Sequence, residues 1–123
     1  MSNIGSAKPL NPIPIPTNMD EYIYTTDIIN ALDSALIGTD QQNSLQKFLD
    51  EIKDYVADWE YGETLIRDTE FPNYTAEFAS DISNIDLNSW PATCIDWSAA
   101  ADQLKYDYAE VQFDGISYFG RMA

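Results

Sequence analysis

Apolar and polar positions along this chain follow a helical period over most of its length and an alternating one at its end. From Asn43 to Gly62 (NSLQKFLDEIKDYVADWEYG), Leu45, Phe48, Leu49, Ile52, Tyr55, Val56 and Trp59 recur at three- and four-residue spacing, which predicts one amphipathic helix. Before it, Thr25-Thr26-Asp27 is a capping signal for a shorter helix with the stripe Ile28, Ile29, Leu32 and Leu36. Gly38 sits where a left-handed cap would end that helix. The polar connector Thr39 to Ser44 then joins the two as an antiparallel pair. Glu63 to Asp68 reads as a short helical turn packing Leu65 and Ile66. Phe71-Pro72 opens a third helix, with Pro72 in the favourable first turn and Tyr74, Phe78 and Ile82 on one face. Asp86 to Thr93 reads as a loop, after which Asp96 caps a fourth short helix, WSAAADQLKY.

The period changes at the end. Glu110 to Phe113 and Ile116 to Phe119 alternate around Asp114-Gly115, a strong two-residue hairpin signal. Pairing Phe113 with Ile116 puts Val111, Phe113, Ile116 and Tyr118 on one apolar face, which needs a helical layer to cover it. Residues 1–19 carry Pro9, Pro12, Pro14 and Pro16 and read as an extended arm, with Leu10, Ile13 and Ile15 able to drape over the domain or a second subunit. The expected architecture is α+β: one mostly helical acidic domain, residues 20–123, with a C-terminal antiparallel hairpin packed on three to four helices.

Charge adds a second layer to this picture. The chain has 21 Asp+Glu against 6 Lys+Arg, a net charge of −15. With 45% apolar residues and 13% aromatic ones, it reads as a folded acidic protein and not as a disordered acidic tail. Such a field repels nucleic acid and anionic membranes and attracts basic surfaces. No histidine is present, which removes the commonest general base and metal ligand, and Cys94 is the single cysteine, read as a packing residue. Asp81 to Asn88 (DISNIDLN) lacks the Gly and Glu of a calcium loop. No paired carboxylates are singled out for catalysis, so a non-enzymatic protein without cofactor or metal is expected. No stretch approaches the roughly 18 apolar residues of a membrane span, and a cytoplasmic location is expected.

Within the second predicted helix, Asp50, Asp54 and Asp58 stand one above another, about 6 Å apart along the axis at a rise of about 1.5 Å per residue. Like charges at that spacing cost a helix about 0.2–0.5 kcal/mol per pair. The interval and sign approach those of a nucleic-acid phosphate row, although a solvated helix face has the same pattern. Glu77 and Asp81 repeat the four-residue spacing on the third helix.

The second half of the chain carries GETLIRDTEF, then Tyr74-x-x-Glu77-Phe78-Ala79-x-Asp81-Ile82, Trp90-Pro91 and Ile95-Asp96-Trp97. It closes with Asp107-Tyr108-x-x-Val111-x-Phe113-x-Gly115-x-x-Tyr118. Over about residues 60–121 these segments resemble the ArdA-type antirestriction proteins and related acidic phage and plasmid proteins. The resemblance implies a dimeric mimic of duplex DNA that occupies the DNA-binding groove of type I restriction-modification enzymes. The chain is shorter than those proteins, and its Pro-rich arm and first two helices depart from their pattern.

Together these readings point to an inhibitor that imitates phosphate charge and blocks a basic nucleic-acid-binding protein. That partner would be a restriction-modification enzyme, a CRISPR effector or another DNA-binding host protein; a homodimer is compatible with the apolar arm. The candidate partner-binding acids are Asp27, Asp33, Asp50, Glu51, Asp54, Asp58, Glu60, Glu63, Asp68, Glu70, Glu77, Asp81, Asp102, Asp107 and Glu110. Asp96 and Asp114 are set aside as a cap and a turn residue. Two alternatives stay open. A halophilic or marine host would give the same charge whatever the function. An acidic interaction module, antitoxin-like or a phage structural or regulatory protein, would bind a basic partner without imitating DNA, through Tyr22, Tyr24, Trp59, Tyr61, Trp90 and Trp97.

Overall fold

The hairpin forms where the alternation predicts it. In the computed structural model, which describes residues 14–34 and 37–123, strands β3 (Tyr108–Phe113) and β4 (Ile116–Arg121) pair with Phe113 opposite Ile116. Asp114 and Gly115 take φ of 47° and 85°, the two positive values that a tight primed turn requires. The expectations for Pro9, Leu10, Pro12, Ile13 and Leu36 lie outside the described residues.

The hairpin is half of a four-stranded antiparallel sheet. Strands β1 (Tyr22–Tyr24) and β2 (Thr64–Arg67) complete it in the order β1-β2-β4-β3. The helical turn expected over Glu63 to Asp68 is therefore a central strand. Leu65 is 0% and Ile66 1% exposed because neighbouring side chains of a strand point to opposite faces and both faces are covered here. A strand buried on both sides loses its alternation, and TLIR then cannot be told from a helical turn by period.

Helices α1 (Thr25–Leu32) and α2 (Thr39–Tyr55) cover one face of the sheet. Ile28, Ala31, Leu45, Phe48, Leu49 and Ile52 pack there against Leu65, Val111, Phe113 and Tyr118. Helices α3 (Phe71–Ser83) and α4 (Trp97–Leu104) cover the other, where Phe71 and Ala101 meet Ile66 and Phe119. The class is α+β as expected, with the sheet between two helical layers.

Several boundaries move. Thr25 does not cap α1 with its side chain; its Oγ1 accepts a hydrogen bond from the Glu63 N–H at 2.8 Å, tying the helix to the start of β2. Gly38 precedes α2 instead of ending α1, and its N–H donates to Gln41 Oε1 at 3.3 Å. Helix α2 stops at Tyr55, about two turns before Gly62. Val56 leaves the helix to bridge to Met122 and stays 2% exposed, so the apolar stripe continues after the backbone has changed course. On α3 the buried positions are Phe71 and Thr75, whereas Phe78 is 37% and Ile82 69% exposed. Asp96 caps α4 as expected, accepting from the Ala99 N–H at 3.1 Å. Cys94 is exposed and is not a packing residue.

At Gly120 the backbone of β4 runs directly beneath the side chains of Leu65 on β2 and Val56 beyond the end of α2. A Cβ there would lie 2.7 Å from Leu65 Cδ2 and 3.0 Å from Val56 Cγ1. Gly120→Ala is expected to cost about 1–3 kcal/mol through overpacking, read as a lower denaturant midpoint at unchanged slope. An unchanged midpoint would show that Leu65 and Val56 can yield.

Candidate functional site

The fifteen candidate acids divide into three groups by what their carboxylates touch. Four are bound to cations. Arg121 grips Glu63 with both Nε (3.1 Å to Oε2) and Nη2 (2.8 Å to Oε1), and its Nη2 also reaches Asp58 Oδ2 at 3.2 Å. Glu63 is buried and neutralised, so it is a structural ion-pair residue and not a surface available to a partner. Lys105 binds Asp68 at 2.7 Å and stands 4.0 Å from Asp102, with its ammonium 4.8 Å from the centre of the Phe119 ring.

A second group is engaged by neutral donors. Glu51 Oε1 accepts from the Gln112 N–H at 2.6 Å, capping an outward-facing amide of edge strand β3 and so blunting that edge. Glu110 accepts from Ser117 Oγ at 2.5 Å and Gln112 Nε2 at 3.1 Å. Asp50 accepts from Gln46 at 2.8 Å and Glu70 from the Tyr22 hydroxyl at 3.4 Å. In the third group, Asp27, Asp33, Asp54, Glu60, Glu77, Asp81 and Asp107, no carboxylate has an ion pair among the described residues. Of these only Asp27 is partly buried.

The three-carboxylate row expected on the second helix is not present. Asp58 lies beyond the helix end with φ of 53°, and Arg121 holds it. Asp50 and Asp54 remain one turn apart on the exposed side of α2. Glu77 and Asp81 hold the same relation on α3, which covers the opposite face of the sheet. The exposed acids thus form two panels on opposite sides of the sheet instead of one continuous stripe.

Several cations are engaged within the fold, while Lys47 stands exposed beside the α2 acids. Arg67 donates from Nε to the Asn18 carbonyl at 3.0 Å and from Nη1 to Thr69 at 2.9 Å. Lys53, on the flank of the α2 acids, leans over the Trp59 ring at 5.4 Å. Of the aromatics considered as contact residues, Tyr24, Tyr61 and Trp90 are exposed, while Tyr22, Trp59 and Trp97 are partly buried. Asp86, within the rejected calcium loop, instead builds a turn. Its carboxylate accepts from the Asn88 N–H and Ser89 Oγ, both at 2.9 Å, which holds its pKa below the usual value.

Three phenols are shifted the other way. Tyr22 and Tyr118 are pushed up to about 12, foremost by burial, and Tyr108 is raised by burial and by its 2.6 Å hydrogen bond to the Tyr74 hydroxyl. The Tyr118 hydroxyl donates to the Asp20 carbonyl. An unfolded tyrosine ionises near pH 10, so the unfolded chain releases these protons first. Stability is expected to be undiminished below about pH 10 and to fall as pH rises toward 12. A phenolate absorbance titration should show a late phase coincident with loss of circular dichroism. One early phase with secondary structure retained would contradict it.

Comparison with known proteins gives no match. No family model fits the sequence, no curated protein is similar to it, and no solved structure is similar to its fold. The arrangement therefore has to be read from its own chemistry. Among the described residues no group of three or more His, Cys, Asp or Glu side chains is placed to hold a metal ion, and no helix is long and apolar enough to cross a membrane.

Proposed function

We propose that this chain is a non-enzymatic acidic inhibitor that imitates DNA charge and occupies the basic groove of a nucleic-acid-binding defence protein. The observation that carries the reading is the segregation of charge. Arg67, Lys105 and Arg121 are held by internal partners, while Asp50, Asp54, Glu77 and Asp81 stand exposed in turn-spaced pairs. A groove that binds DNA gains much of its affinity by replacing counterions around phosphates with Lys and Arg. Carboxylates on a rigid scaffold meet the same cations without presenting base edges. Two panels on opposite faces of one sheet suit a cleft that closes around its ligand better than a flat surface. The resemblance of residues 60–121 to antirestriction proteins supports a restriction-modification enzyme as the first partner to examine.

The test is a binding panel at about 0.15 M salt, where exposed charges more than about 8 Å apart are screened. A type I restriction-modification enzyme, a CRISPR effector and a basic protein that binds no nucleic acid form the panel. Binding to one of the first two and not to the third supports the proposal. Equal binding to all three reduces the charge to general stickiness.

A further inference from the structure

We propose that the seam between α3 and α4 is a docking groove for a basic amphipathic helix supplied by a partner. Phe78, Ala79 and Ile82 of α3 line it with Trp97, Ala100 and Leu104 of α4. Phe78 and Leu104 also continue it toward Met122. On α3, Thr75, Phe78, Ala79 and Ile82 follow the i, i+3, i+4, i+7 spacing of one helix face, yet only Thr75 is buried. Ile82 at 69% and Met122 at 54% exposure leave apolar surface in water at both ends. Ala79 and Ala100 keep the floor low, which lets the backbone of a third helix approach.

Charge selects the occupant. Asp107 lies in the groove and is its one acidic lining residue among the described residues. Arg121, the cation lining the groove near Met122, is already bound by Glu63 and Asp58. An apolar floor bearing Asp107, on a chain of net charge −15, matches a helix whose apolar stripe is flanked by Lys or Arg. A second copy of this chain would bring another net charge of −15 to the same surface and is opposed by that repulsion. The groove's lining includes none of Asp50, Asp54, Glu77 and Asp81, so it goes beyond the mimicry reading and can fail separately from it.

The probe is a leucine–lysine peptide patterned for an amphipathic helix, with a peptide of the same composition and scrambled pattern as its control. The patterned peptide is expected to bind about tenfold more tightly, with backbone amide shifts concentrated at 75–82 and 97–107. Ile82→Ser, at an exposed position, should remove about tenfold of that affinity and leave the melting temperature unchanged. Asp50→Lys combined with Asp54→Lys should change patterned-peptide binding by less than about twofold while weakening any DNA-like binding. Equal affinity for the two peptides, shifts centred on α2, or no response to Ile82→Ser would overturn the proposal. So would a self-associated chain whose dimer Ile82→Ser dissolves, since the groove would then be a contact between copies.

Discussion

Phe71→Ala is expected to remove about 3–5 kcal/mol of folding stability, a large part of the roughly 5–15 kcal/mol available to a domain of this kind. The Phe71 ring is 0% exposed, and its neighbours are other rings: Tyr108 at 5.2 Å, Phe119 at 5.3 Å and Tyr74 at 5.4 Å between centroids. Lys105 Nζ stands 5.6 Å from the same ring while it binds Asp68. Truncation would open a cavity at the centre of the α3–α4 layer and loosen the only buried anchor in the first turn of α3. Such rigid aromatic neighbours close only partly around a void, so the loss should lie toward the upper end of the range. Urea unfolding measures it. A loss below about 1 kcal/mol would mean that this layer is not organised around Phe71.

The second large effect concerns recognition and not folding. Reversing Asp50, Asp54, Glu77 and Asp81 to Lys changes the net charge from −15 to −7. Inhibition of the partner should fall on the order of 100-fold, because a complex built on charge pairing loses both its steering and its contacts. The fold should survive. All four side chains are exposed, and among the described residues only Asp50 has a side-chain hydrogen bond, to Gln46. The reduced self-repulsion should leave the melting temperature unchanged or slightly higher. Asp58 does not belong in this set, although its spacing in the sequence suggests it. Its reversal would place a second cation against Arg121 and disturb the Glu63 network that joins the start of β2 to the end of β4. A quadruple variant that folds and inhibits normally would remove these panels from the account.

The difference between Asp58 and Asp54 shows where sequence patterns stop being informative. Elements marked by local chemistry are legible: Asp114-Gly115 at the hairpin, Pro72 in the first turn of α3, and Asp96 before α4. Each carries its own reason within a few residues. The end of α2 is not legible, because Val56 keeps its place in the core through a bridge to Met122 and so satisfies the helical period outside the helix. Strand β2 is hidden because burial on both faces erases its alternation. Strand β1, Tyr22–Tyr24, is three residues long and too short for a period to show. For the site, the excess of acids is plain in the composition, but which acids are available is decided by partners far along the chain. Glu63 and Arg121 meet across 58 positions, and Lys105 and Asp68 across 37. No spacing rule reaches that far.

In the proposed function, the exposed carboxylates take the place of DNA phosphates in a partner's groove. That function is tested most directly by displacement of labelled duplex DNA from a type I restriction-modification enzyme as this protein is added, repeated at increasing salt. Mutually exclusive binding and an affinity that falls steeply with salt are expected. A stable ternary complex of the enzyme, DNA and this protein would contradict the proposal.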